Sequence, residues 1–291
     1  MSAEAVATVA APAKRRGWWA LLRSTGPAGI ASAIVIVVAT FMAVFGSAIA
    51  SQDPYVGKLS LSFLGSGGGN LLGFDAQGRD VMSRLLVGAR SSMLGPLAVV
   101  AICMSVGTVF AVSSAWKRGS YDAVVSSGMD VLFAFPGILL AILAATVFGA
   151  GLPAAALALA VAYTPYVARV LRGAALRERS QVYVDALSVQ GASSFSICMK
   201  HLIPNMAPLI VAQATILFGY AMVDLAAISF LGLGVQPPNP DWGVMVSENQ
   251  SGVVQGYPMP ALAAGLCIVV VVVAFNVLGE RLYERSQAER R

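Results

Sequence analysis

Few side chains in this 291-residue chain are placed to do chemistry, and most of them stand alone. His201 is the single histidine and has no ligand companion near it in sequence. Cys103 and Cys267 fall in apolar runs and Cys198 in a polar one, with no Cys-x-x-Cys spacing. Neither a structural metal nor a disulfide is expected from that pattern. The run Gly65-Ser66-Gly67-Gly68-Gly69 is not followed by Gly-Lys-Ser/Thr, and no Gly-x-x-x-x-Gly-Lys-Ser/Thr occurs elsewhere, so the usual ATP-binding loop is missing. What remains are polar groups inside apolar runs. Asp224, in Ala221-Met222-Val223-Asp224-Leu225, is the clearest. A carboxylate in such a run is expensive and usually faces a cavity or a partner. It either lines a solute path or closes an ion pair or helix-end contact. The second is favoured because only about seven residues remain before the run ends. Asp130 reads as a structural acid, and Asn276 as a hydrogen-bonding group toward a neighbouring helix, worth about 1 kcal/mol.

A second pattern is mechanical rather than chemical. Asp185-Ala186-Leu187-Ser188-Val189-Gln190-Gly191, then Lys200-His201-Leu202-Ile203-Pro204-Asn205, form a polar island between two long apolar segments. Val182, Ala186 and Val189 share one helical face, with Leu187 at its flank. Ser180 suits an N-cap, and Gly191 suits a helix stop that needs a left-handed residue. Ser193 or Ser194 can cap a second short helix carrying Phe195, Ile197 and Met199, and Pro204 opens the next apolar segment. One reading is a loop on lipid headgroups, with Arg177, Arg179 and Lys200 touching anionic lipid. The alternative, a hook whose small apolar face fits a groove on a partner protein, accounts better for the alanine, glycine and proline punctuation.

The elements that hold these residues are set by composition. The chain is 57% hydrophobic and 11% charged, with mean hydropathy +0.76, whereas soluble domains are about 25% charged. A polytopic membrane protein follows. Spanning about 30 Å of hydrocarbon takes roughly 20 apolar residues. Six segments qualify: 29–50, 92–116, 124–150, 153–171, 205–231 and 260–279. The first has a basic lead but is longer than the roughly 7–15 residues of a signal-peptide core, so it reads as an uncleaved span. Pro136 should kink the third. Between the spans lie an N-terminal tail (1–28), a segment 51–91, the hook (173–204), a loop 232–259 and a C-terminal tail (280–291).

The charge distribution sets the orientation. With a cytoplasmic N-terminus the outer segments hold only Lys58, Arg79, Arg84 and Arg90 among the cations. Both termini and the hook are therefore expected in the cytoplasm. The net charge of +5 belongs to this topology and not to nucleic acid. Trp18, Trp19, Trp116 and Trp242 are expected as interfacial anchors. The glycine run reads as a flexible tether, followed by a short surface helix in which Asp80 and Arg84, four apart, pair. Pro237-Pro238-Asn239-Pro240 should be stiff and extended. Asn249-Gln250-Ser251 is formally a glycosylation sequon and is given little weight.

The hook resembles the "EAA" loop of permease subunits of bacterial ABC importers: Asp185-Ala186-Leu187, three residues, Gly191, nine residues, then His201-Leu202-Ile203-Pro204. Asp185 stands where that loop usually has Glu, and Leu187 stands for its second Ala. Residues 72–84, Gly88-Ala89-Arg90, Ser229 to Pro238 and Asp241-Trp242-Gly243 are similar to the C-type permeases of oligopeptide and dipeptide importers. Residues 1–25 match nothing, and Gly279-Glu280-Arg281-Leu282 departs from the family's Gly-Asp-x-Leu-Arg.

The resemblance implies an all-α, six-span type I importer permease that forms half of a transmembrane path. Its implied partners are a second homologous permease, two ATP-binding subunits, an extracytoplasmic solute-binding protein, a peptide substrate and the bilayer. ATP and Mg would be bound by those subunits, with no cofactor or catalysis in this chain. Asp185, Ala186, Leu187, Gly191, His201 and Pro204 would couple to the ATPases. Asp224 and Asn276 would lie on the substrate path, where Asp224 could meet a peptide's amino group. Nickel or another small solute is the alternative cargo, and an ion-gradient-driven carrier is the rival from another class.

Overall fold

The computed structural model of the protein describes residues 26–67 and 70–288. The basic N-terminal tail with Trp18 and Trp19, two glycines of the tether and the last three residues lie outside them. Among the described residues the regular structure is helical. Helix α1 covers Gly26–Ile49, α2 Val81–Lys117, α3 Gly119–Phe133, α4 Gly137–Phe148 and α5 Leu152–Arg179. The hook follows as α6 (Val182–Val189) and α7 (Ser194–Ile197), then a π-helical turn (Cys198–Leu202). Helix α8 is Ile203–Phe230, α9 Trp242–Glu248, α10 Gln250–Val254 and α11 Met259–Ala288.

Among the described residues five helices are long and apolar enough to cross a membrane: α1, α2, α5, the continuous α7–α8 run and α11. A sixth span is possible only if α3 and α4 count as one, and these are bent by 79°. The expected kink at Pro136 is thus a full break. Phe133 ends one helix, and Pro136, with ψ 129°, stands outside the next as its N-cap residue. Several helices outrun the apolar stretches that announced them. Hydropathy reports the thickness of hydrocarbon, whereas helical hydrogen bonding continues through amphipathic ends.

The bundle is knit mainly by α2 against α5 and by α8 against α11. Many of the buried residues of α2 and α5 are small, among them Ala111, Ala115, Ala155, Ala156, Ala160, Ala168, Ala174 and Ala175. Small side chains let helix backbones approach where lipid removes the hydrophobic drive for association. Gly46 of α1 shows how close the approach is, since a Cβ there would stand 2.1 Å from the Leu86 carbonyl oxygen.

At the end of the bundle opposite the hook, residues 51–80 and 232–258 fold over each other. The surface helix expected over residues 78–86 is instead the first turns of α2. Asp80 does not pair with Arg84. Its carboxylate caps α2 by accepting from the Ser83 N–H at 2.8 Å. Arg84 is fully buried and reaches Glu248 at 2.7 Å and Asp75 at 3.4 Å. Arg79 also takes Asp75 and Glu248, each at 2.7 Å. These four charges, with the Arg84 bond to the Pro54 carbonyl at 3.0 Å, clamp the two segments together.

The loop 232–259 carries α9 and α10 rather than running extended, and its prolines turn the chain, with the Asn239 N–H donating to the Gln236 carbonyl at 3.2 Å. Trp242 is no interfacial anchor: it is 1% exposed and donates its indole N–H to the Leu85 carbonyl at 3.0 Å. Asn249 is fully buried with its side-chain amide engaged by Met245 and Ala76, which leaves the acceptor nitrogen of the sequon inaccessible in the fold.

Candidate functional site

The hook is built largely from local signals. Helix α5 runs to Arg179, so Ser180 closes it as a C-cap, its hydroxyl donating to the Arg177 carbonyl at 2.8 Å. Gln181, not Ser180, occupies the N-cap position of α6. After α6 the chain reverses at Gly191, φ +83°. The Gly191 N–H donates to Ser188 O at 3.1 Å and the Ala192 N–H to Leu187 O at 3.0 Å. These are the two bonds of a Schellman stop, which requires a left-handed residue at that point. Ser193 caps α7, accepting from the Ser196 N–H. Pro204 does not restart the chain after a gap. The π turn carries the helix straight through it, so the second limb of the hook is one rigid piece with α8.

The base of the hook is fixed to the bundle. Tyr183 donates its phenol O–H to Glu178 at 2.9 Å, and Asn205 donates to the same carboxylate at 2.9 Å. Burial, then the bond to Glu178, pushes the Tyr183 phenol up to about 12, so it stays a donor at neutral pH. His201 tilts toward the Tyr183 ring, with centroids 6.3 Å apart. Arg179 donates to the Ala115 carbonyl at 2.8 Å and lies over Trp116, tying the end of α5 to the end of α2. Val184, Ile197 and Leu202 are buried beneath the hook. Its outward face is apolar and bare: Val182 is 83% exposed, Val189 90% and Phe195 77%. Asp185 and Ala186 are exposed on the same short helix, Leu187 is half-buried against the core, and Pro204 is exposed at the start of α8. The arrangement offers a rigid knob with an apolar surface, joined to two long helices.

Asp224 lies elsewhere, in a cavity of about 470 Å³ at the break between α3 and α4. Its Oδ2 accepts from the Tyr163 O–H at 2.6 Å. Among the described residues Asp224 makes neither the expected ion pair nor a helix-end contact; its partner is a phenol. Asn276 is not among the residues lining this cavity. Its amide donates to Val272 O of its own helix at 3.0 Å, not across to a neighbour, because it packs flat against Gly219 of α8. Asp130 pairs with Arg169 at 2.5 Å, both largely exposed. The paired loops, the Tyr183–Glu178–Asn205 lock and the aromatic lining of the cavity had no local signature in the sequence.

Residues 106–288, which include the whole hook, match the family described as binding-protein-dependent transport system inner membrane component. The chain belongs to that family. The permease is 37% identical over 211 residues to the glutathione transport system permease protein GsiD of Pectobacterium atrosepticum, covering 72% of this chain and 70% of the relative. It is 38% identical over 210 residues to GsiD of Escherichia coli, covering 72% and 69%. Its fold is similar to a chain in a structure of inward-facing conformations of the MetNI methionine ABC transporter, with TM-score 0.58 and 21% identity over 71% of this chain and 97% of that one. The permease has the type I importer fold, and the ABC-importer resemblance read from the hook holds. An ion-gradient-driven carrier is set aside by this membership.

Proposed function

We propose that the permease forms one half of a peptide-importing path in the cell membrane, with both termini and the hook in the cytoplasm. A second, homologous permease forms the other half. Two ATP-binding subunits, which hold ATP and Mg, sit against the hooks, and a solute-binding protein delivers cargo to the clamped loops outside. The observation that carries this reading is the hook itself. Val182, Val189 and Phe195 are left bare on a knob whose base is locked to α2, α5 and α8. An apolar helix face of this kind fits a groove on a partner. Asp185, Ala186, Leu187, Gly191, His201 and Pro204 act as mechanical parts. Because α7 runs into α8 without interruption, a push on the hook swings the span as a rigid body, as alternating access requires. The glutathione permeases among the relatives support a small peptide as cargo, and Asp224 lies on its path. Asn276 borders that path only through its packing on α8.

Purification of the tagged permease from cells expressing the full transport system tests this. A second permease and two ATPase subunits co-elute, and the complex in liposomes takes up a labelled tripeptide only with ATP and the binding protein. A lone oligomer that transports without ATP would overturn the proposal.

A further inference from the structure

The cavity beside the helix break has a composition that selects one kind of ligand. It is lined by five aromatic rings, Phe133, Phe135, Tyr163, Tyr166 and Tyr220, and by one charged side chain, Asp224. Among the described residues only Oδ2 of that carboxylate is occupied, by Tyr163. The ring of Tyr166 is steadied by its O–H on Gln213 at 3.3 Å, while Tyr220 is 55% exposed and leaves one side open. Arg169, the next cation along α5 from Tyr163 and Tyr166, does not line the cavity. It is held by Asp130 at 2.5 Å and lies over the Phe133 ring at 4.9 Å. The volume of about 470 Å³ falls in the range of small-molecule sites, about 300–1,000 Å³.

A carboxylate without a cation in such surroundings is costly, and a bound ammonium group relieves that cost. Aromatic faces carry negative potential and add attraction for a cation, whereas they repel an anion. We propose that this cavity is a binding site for an organic ammonium group of the transported solute, with Asp224 as counter-charge and the aromatic rings as its walls. The proposal rests on the import reading above, and it names what the path recognises. Both sides of the break contribute: Phe133 ends α3, while Pro136 caps α4 and Gly137 opens it. A swing of one helix relative to the other would open or close the cage.

Ligand-observed NMR on the purified complex, without binding protein, tests it with benzylammonium as probe and benzyl alcohol and benzoate as neutral and anionic controls. Benzylammonium binds at least tenfold tighter than benzyl alcohol, and benzoate does not bind. Asp224→Asn removes the preference, and Asp224→Glu keeps it. Tyr220→Leu weakens benzylammonium by about two- to fivefold, the worth of one exposed cation–π contact. A wild-type complex that does not discriminate benzylammonium from benzyl alcohol overturns the site without any variant, as does an Asp224→Asn complex that still discriminates. ATP-driven uptake with no ammonium preference overturns the site and leaves the import reading standing. An ammonium preference with no ATP-driven uptake overturns the import reading and leaves the cavity an ammonium site that is not on a transport path.

Discussion

Gly191→Val abolishes ATP-driven uptake while the permease still inserts in the membrane and loses no more than about 1–2 kcal/mol of stability. The cause is local. Gly191 sits at φ +83°, a region costing an L-residue roughly 1–2 kcal/mol, and a β-branched side chain there is a true outlier. A Cβ at this position meets no atom within 4 Å, so the substitution does not disturb the bundle. It distorts the reversal between α6 and α7 and places bulk on the face proposed to meet the ATPase subunit. Gly191→Asn separates the two effects. Asparagine tolerates the left-handed conformation, so it keeps the turn and retains more uptake than valine. Uptake and ATPase stimulation at wild-type level in Gly191→Val would show that the hook does not transmit force.

Arg84→Met destabilises the permease by about 3–5 kcal/mol, the range for breaking a buried ion pair by removing one partner. The guanidinium is wholly buried and serves Glu248, Asp75 and the Pro54 carbonyl at once. Its loss leaves two carboxylates to share Arg79 alone. Arg84→Lys is nearly as harmful, because a point charge cannot reproduce the fork. The double change Arg84→Met with Glu248→Leu recovers part of the loss, since the orphaned charge goes too. Thermal unfolding of the purified protein measures all three. By contrast Asp130→Asn, at an exposed pair, changes stability by about 1 kcal/mol or less. An Arg84→Met protein as stable as wild type would mean that the loops are held together by packing alone.

These two sites mark where the sequence was legible and where it was not. The hook was readable because its punctuation is local: Gly191 and Ser193 act on backbone groups within five residues of themselves. Ser180 misled because nothing in its own neighbourhood says that α5 continues for eight residues past the apolar stretch. The clamp was not readable at all. Asp80 and Arg84 have the spacing of a helical pair, yet Asp80 is consumed by the cap of α2, and Arg84 turns to Asp75 and to Glu248, 164 residues away. Trp242 has the composition of an interfacial residue but is drawn inside when the loop folds onto α2. Asp224 was visible as an anomaly. Its surroundings were not, because Pro136 produces a break rather than a kink, and the break brings three helices' aromatic rings around the carboxylate. Single-residue anomalies and local caps survive in a linear reading; partners from distant segments do not.

The central claim is that the bare face of the hook seats on an ATP-binding subunit and carries its motion into α8. Disulfide or short-linker cross-linking from Val189→Cys and Phe195→Cys, made in a Cys198→Ala background, tests it most directly. Both positions must cross-link to the ATPase subunit in the intact complex, with yields that change when ATP is bound, and the cross-link must arrest uptake. Cross-links to lipid or to the second permease, or a fixed cross-link that leaves ATP-driven uptake running, would contradict the claim.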